Sequence, residues 1–173
     1  MPTSYQAPMR KDQAKARTHS QSEETNMQSE NATVGDVLRG KGSEVFTITP
    51  DATLHNAVEI LRDRGIGALM VSNDAGQLCG ILSERDIVRK LADTPGQTLP
   101  QLVKDVMTEK VETATPDEPL VAALKRMTAG RFRHLPVASE GELLGMVTIG
   151  DVINHRLTEV EHEALQLKQL IVG

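Results

Sequence analysis

Aromatic side chains are almost missing from this chain: two Phe, one Tyr and no Trp among 173 residues. Proteins that hold unpaired bases stack them on aromatic rings, and there is almost nothing here to stack on. A basic face is missing as well. The formal charge is −5, whereas affinity for a polyanion rests on counterions released by clustered Lys and Arg. Nucleic acid is therefore not an expected partner. Cys79 is the single cysteine, which excludes a disulfide framework within the chain and a zinc site built on several thiolates. No apolar run approaches the ~18–20 residues of a membrane span, and the N-terminus carries no apolar signal core. A cytoplasmic protein with no membrane partner is the expectation.

What is present is a duplication. Thr49-Pro50-Asp51 recurs as Thr115-Pro116-Asp117, and Gly80-Ile81-Leu82-Ser83-Glu84-Arg85-Asp86 recurs as Gly145-Met146-Val147-Thr148-Ile149-Gly150-Asp151. The turn Asp74-Ala75-Gly76 against Glu140-Gly141 accounts for the one-residue difference in offset. Two small units so related are expected to face each other across a pseudo-two-fold axis. Each buries too little surface to stand alone, so the halves should share a core.

Residues 1–32 are rich in Ser, Gln, Thr, Glu, Asn and Lys with few aliphatics. They cannot bury enough apolar surface to offset the entropy of ordering, so a disordered polar tail is expected. The early bias to Arg10, Lys11, Lys15 and Arg17 has a faint likeness to an organelle transit peptide; a solvated tail is the reading taken. The first unit, 33–93, reads as strand Val45–Ile48 and a helix with Leu54, Ala57, Val58 and Leu61 on one face. Gly65 stops that helix. Strands Ala68–Val71 and Leu78–Leu82 then form a hairpin, and a helix starts at Ser83. The second unit, 98–156, repeats the order: strand Val111–Thr113, helix Leu120–Met127, strands Leu135–Ala138 and Leu143–Val147, and a helix from near Asp151. The class is α+β, with β-α-β-β-α twice. A C-terminal helical extension, 157–173, carries Leu157, Val160, Ala164, Leu167 and Ile171 at alternating spacings of three and four. That row serves either packing on its own domain or a homodimer contact.

Two observations carry chemistry. Ser83-x-x-Asp86 and Thr148-x-x-Asp151 each stand where a strand gives way to a helix. The spacing fits a helix cap, yet a helix N-terminus also offers free amides and a positive dipole end to phosphate, and a carboxylate there accepts both hydroxyls of a ribose. Recurrence in both units favours a ligand. In this acidic chain Arg131, Arg133 and His134 also fall within four residues, where the first unit has Gly65, Gly67 and Ala68. A planar guanidinium fork suits phosphate oxygens, so a phosphate anchor shared by two unequal clefts is expected. His155, Glu159 and His162 share a face of the last helix, but two histidines on a charged helix are usually solvated, and no metal site is assigned.

These motifs, with Phe132-Arg133-His134-Leu135-Pro136-Val137 ahead of the second hairpin, resemble the cystathionine β-synthase (CBS) domain, and two in tandem resemble a Bateman module. The likeness covers about residues 33–156 and is nearest to small stand-alone bacterial CBS pairs. It implies an adenine nucleotide, AMP first and ATP or NAD(H) next, in clefts between the repeats. By the resemblance, Asp86 and Asp151 hold ribose with Ser83 and Thr148 assisting. Arg131, Arg133 and His134 take phosphate near Pro136, with Lys41 a weaker phosphate candidate. Val45 to Ile48 and Val111 to Thr113 flank the bases. The first repeat has Met70 in place of Pro136 and no basic residue nearby, so the clefts need not take the same ligand.

The leading expectation is a non-catalytic adenine-nucleotide sensor that acts on a regulated protein of unknown identity. No nucleophile with a base, metal cluster or phosphate loop argues for an enzyme, so no catalytic residue is assigned. The alternative is a ligand-free interaction or dimerisation module.

Overall fold

The computed structural model describes residues 32–42 and 44–172; the tail expected over 1–32 lies outside them save for Ala32. The described elements are α1 (Val34–Lys41), β1 (Thr47–Ile48), α2 (Leu54–Arg64), β2 (Ala68–Ser72), β3 (Leu78–Ser83) and α3 (Glu84–Asp93). A 3-10 turn at Val103–Asp105 leads to α4 (Leu120–Gly130), β4 (His134–Ser139), β5 (Glu142–Thr148) and α5 (Ile149–Val172).

In the first repeat β1 pairs parallel with β2, and β2 antiparallel with β3, as the crossover and hairpin require. Leu54, Ala57 and Leu61 of α2 bury the predicted face, and Gly65 caps the helix in the left-handed region at φ 62°. The second repeat departs from expectation. Val111–Thr113 is not a strand, and only Ala114 makes a parallel bridge, to Val137. The cause is Pro136. In the first repeat the Met70 amide donates to the Phe46 carbonyl at 3.2 Å; Pro136, at the matching position, has no N–H to donate. The freed segment is held instead by Arg126, which donates to Glu112 Oε2 at 2.9 Å and to the Thr113 carbonyl at 3.1 Å.

Helix α1 had no place in the sequence reading. Its cap is a third box of the same spacing: the Thr33 amide donates to Asp36 Oδ2 at 2.7 Å, and the Asp36 amide to Thr33 Oγ1 at 3.3 Å. Val34, Val37 and Leu38 of α1 are buried not with the first repeat but with Leu120, Ala123, Leu135 and Val147 of the second. The exchange is mutual, because Val103, Val106 and Met107 pack with Leu54, Leu69 and Leu82 of the first. Backbone bonds repeat the pattern pair by pair. Val34 donates to Glu118 at 2.9 Å and Gly35 to Pro116 at 2.8 Å, while Val103 donates to Ala52 at 2.8 Å and Lys104 to Pro50 at 3.0 Å. The halves thus keep two separate cores rather than one shared core, each completed by a segment lent from the other.

The glycine ahead of each S/T-x-x-D motif makes room for the lent segment. A Cβ on Gly145 would sit 3.0 Å from Leu38 Cδ2, and one on Gly80 would overlap Met107. These glycines are there for packing. Gly145→Ala, which also meets a φ of 154°, is expected to destabilise the fold by about 1–3 kcal/mol. In urea unfolding, the Gly145→Ala/Leu38→Ala pair should cost less than the sum of the single changes; simple additivity would show that the two do not touch.

Candidate functional site

The two S/T-x-x-D motifs fold alike. The Ser83 amide and hydroxyl donate to Asp86 Oδ2 at 2.9 and 2.6 Å, and the Asp86 amide to Ser83 Oγ at 3.4 Å. The Thr148 amide and hydroxyl donate to Asp151 Oδ2, both at 2.8 Å, and the Asp151 amide to Thr148 Oγ1 at 3.1 Å. Both are complete helix caps. What differs is the surroundings.

Around Asp86 lies a cleft of about 710 Å³ between the repeats. Ser83, Glu84, Arg85, Asp86 and Arg89 line it from α3 and its cap, and Thr108, Lys110, Val111, Glu112, Gly130 to Arg133 and His134 line it from the second repeat. The exchanged segment forms one wall, because the Ile81 amide donates to the Thr108 carbonyl at 3.0 Å and the Thr108 amide returns a bond at 2.9 Å. Five basic side chains, Arg85, Arg89, Lys110, Arg131 and Arg133, face three carboxylates, Glu84, Asp86 and Glu112. In a chain of net charge −5 this is a local excess of positive charge. Ile81, Val111, Phe132 and Gly67 supply the apolar and small surface. Among the described residues no cation pairs with Asp86, and its Oδ1 accepts no hydrogen bond.

Around Asp151 a cation already sits on the cap oxygen, Oδ2. Lys41 Nζ donates to Asp151 Oδ2 at 2.6 Å and to the Met146 carbonyl at 3.3 Å. This pair, with the cap bonds from Thr148, holds the Asp151 carboxyl below its ordinary range against the opposing effect of burial. The difference has a backbone origin. The segment lent to the second repeat is an eight-residue helix that ends in Lys41, whereas its counterpart is a three-residue turn whose chain then runs along β3.

Arg131 caps α4 in the left-handed region at φ 56°, where the first repeat places Gly65 at φ 62°. A side chain pays about 1–2 kcal/mol for that conformation, so packing alone favours glycine. The Arg131 carbonyl accepts from Arg85 Nη1 at 3.2 Å, which ties the cap to α3. His134 lies half-buried against Gly67, whose added Cβ would come 3.1 Å from His134 Nε2. Burial pushes the His134 imidazole down from 6.5, the charges of Lys41, Arg133 and Arg85 add to this, and Asp151 opposes it. His134 is thus a neutral donor or acceptor rather than a cation at neutral pH.

A family model described as CBS domain matches residues 34–93 and 103–158. The two stretches begin at the two exchanged segments and end in α3 and α5. The chain belongs to the CBS-domain family. As a tandem CBS pair it resembles the CBS-domain containing protein ATU1752 of Agrobacterium tumefaciens at TM-score 0.71 and 37% identity, over 72% of this chain and 99% of that one. It is 35% identical to the mitochondrial CBS domain-containing protein CBSX3 of Arabidopsis thaliana, over 83% of this chain and 74% of that protein. The CBS domain pair of protein MJ0100, solved in complex with 5′-methylthioadenosine and S-adenosyl-L-methionine, aligns at TM-score 0.64 and 27% identity over 75% of this chain and 98% of that one. Several other curated relatives are longer, and the chain spans only 24% of one of them.

Within this CBS pair, Ser83, Asp86, Arg131, Arg133, His134 and Val111 line one cleft. Thr148, Asp151 and Lys41 come together elsewhere. Val45 lines a separate, more open depression of about 570 Å³ with Phe46, Ile60 and Arg64, and Ile48 and Pro136 are buried. Thr113 is exposed, its carbonyl bonded to Arg126. Sequence reasoning missed Arg85, Arg89 and Lys110; Arg85 lies inside the first motif and Arg89 three residues beyond it, a signal that was available. His155 pairs with Glu159 at 3.5 Å and His162 with Gln166 at 3.0 Å, and no cluster able to hold a metal occurs among the described residues.

Arg131→Gly is expected to raise stability by about 1 kcal/mol, read from urea midpoints; unchanged or lower stability would show that the arginine is wanted by the fold. The His134 shift has a definite sign. The folded protein binds this proton less readily than the unfolded chain, so stability falls as pH drops below 6.5 and the loss ends below the folded pKa. His134→Gln should lose less stability than the parent between about pH 7.5 and 5.5. An equal loss would contradict the assignment.

Proposed function

We propose that this CBS pair is a non-catalytic sensor of adenine nucleotides, with the principal site in the cleft between Asp86 and Arg131. AMP leads, and ATP or NAD(H) follows as a longer phosphate chain. The observation that carries this reading is Arg131: an arginine stands in a backbone conformation that favours glycine, at the mouth of a cleft with four other cations. Strain of that kind is retained at functional sites. The adenosine ligands of the MJ0100 pair support an adenosine site, and the excess of guanidinium groups here favours a ligand that bears phosphate.

In this reading Asp86 Oδ1 accepts the ribose hydroxyls while Oδ2 stays with the cap. Arg131, Arg133 and Lys110 hold phosphate, Val111 and Ile81 flank the base, and His134 donates without charge. The second set, Asp151 and Thr148, binds more weakly. There a ribose must share the carboxylate with Lys41, which holds Oδ2. Ligand between the repeats alters their packing and thereby biases a regulated protein, a coupling of about 1–3 kcal/mol. No helix among the described residues is long and apolar enough to cross a membrane, and a cytoplasmic setting belongs to the same proposal. The competing reading, an interaction module without ligand, draws on the exposed apolar residues of α5.

Calorimetry with AMP and adenosine separates the two. Asp86→Ala should weaken both ligands about ten- to hundredfold, the worth of hydrogen bonds to a charged acceptor. Arg133→Ala should weaken AMP strongly and adenosine little. Equal loss of both ligands in Arg133→Ala would make that residue structural. No effect of Asp86→Ala, with folding intact by circular dichroism, would reduce the motif to a helix cap.

A further inference from the structure

Helix α5 runs for 24 residues, on the order of 36 Å, but only its start belongs to the body. Val152 is in the second repeat's core, and Arg156, Glu159 and Glu163 are half-buried along the same side. From Ala164 to Ile171 every residue is exposed. A second row, about a quarter turn away, holds Ile153, Leu157, Val160, Ala164, Leu167 and Ile171 at spacings of 4-3-4-3-4. Of these, Ile153 is 48%, Val160 59%, Leu167 60% and Ile171 83% exposed. A monomeric soluble protein does not usually leave such a row open to water.

The charges beside the row identify what covers it. With Leu157, Ala164 and Ile171 as a positions and Ile153, Val160 and Leu167 as d positions, Arg156 and Glu163 fall at g, and Glu161 and Lys168 at e. In a parallel, in-register pair each g side chain meets the e side chain five residues on in the other helix. That sets Arg156 against Glu161 of the second copy and Glu163 against Lys168, so all four flanking pairs are of opposite charge. The antiparallel arrangement that stacks the same six residues sets Glu161 beside its own copy and Glu163 beside its own copy. The pattern favours one orientation over the other.

We infer that the α5 row is a homodimerisation surface on which a second copy of this chain docks its own α5, parallel and in register. The surface is separate from the nucleotide cleft and does not depend on what binds there. Two and a half heptads make a weak coil in isolation, so the pairing is set by the helix and strengthened by its rigid attachment to the folded body at Val152.

Cross-linking of the full chain tests this. In a Cys79→Ser background, Leu167→Cys faces its own copy in the parallel pair and should give a covalent dimer on mild oxidation at micromolar concentration. In the antiparallel pair position 167 lies opposite position 157 and no such bond forms. Lys168→Glu should weaken the dimer about tenfold by sedimentation equilibrium, since two attractive pairs become repulsive. The swap Glu163→Lys/Lys168→Glu should restore it. A monomeric parent, an uncross-linked Leu167→Cys chain, or a swap that fails to restore what Lys168→Glu loses would each overturn the proposal.

Discussion

Neither CBS repeat of this chain completes its own core. Each lends the other a short segment carrying Val-x-Asp-Val followed by Leu or Met, and each secures the loan by backbone bonds at equivalent positions, Val34 to Glu118 and Val103 to Ala52. The buried side chains of these segments, Val34, Val37 and Leu38 on one side and Val103 on the other, would be exposed in an isolated repeat. A unit of about fifty residues is marginal without them, so the repeats are expected to fold and unfold together. The cleft follows from the same constraint. It lies between the repeats because the exchanged chain, passing along β3 at Thr108, forms one of its walls.

The proposed site rests on how the copies differ. Three positions break the symmetry. Arg131 replaces Gly65 at a helix cap and carries a cation to the cleft. Pro136 replaces Met70 and releases the neighbouring segment from the sheet, so that Val111 and Glu112 line the cleft and Arg126 holds Glu112 and the Thr113 carbonyl. Lys41 prolongs α1 and lands on Asp151, whereas Lys110, the matching residue of the other lent segment, lines the Asp86 cleft without pairing with that carboxylate. Together these leave one carboxylate beside guanidinium groups with no cation bound to it and the other within an ion pair.

The duplication made much of this fold legible. Helix α2, both hairpins and the Gly65 cap follow from local chemistry: apolar residues at helical spacing, alternating strands and a glycine where a helix must turn. What stayed hidden was non-local. Nothing near Val111–Thr113 announces that it will not pair; the reason lies at Pro136, whose missing N–H matters only once the two segments meet. Helix α1 was legible after all, through Thr33-x-x-Asp36, the same spacing as the two motifs assigned to a ligand. That third box shows that the spacing by itself denotes a cap, and that only its neighbours distinguish a binding site. Of the candidate residues, Arg131, Arg133, His134, Ser83 and Asp86 meet in one place because charge and recurrence both pointed there. Lys41, the weaker phosphate candidate, bonds Asp151, which is 110 residues away, and no local pattern links the two.

The central claim is that phosphate and ribose are read from opposite sides of one cleft, by Arg131 and Arg133 on the second repeat and Asp86 on the first. A crystal structure of the chain grown with AMP tests it most directly. The account predicts phosphate oxygens about 2.7–2.9 Å from the guanidinium of Arg131 or Arg133, with the ribose hydroxyls on Asp86 and Lys41 still bonded to Asp151. AMP seated at Asp151 in place of Lys41, with the Asp86 cleft empty at saturating ligand, would contradict it.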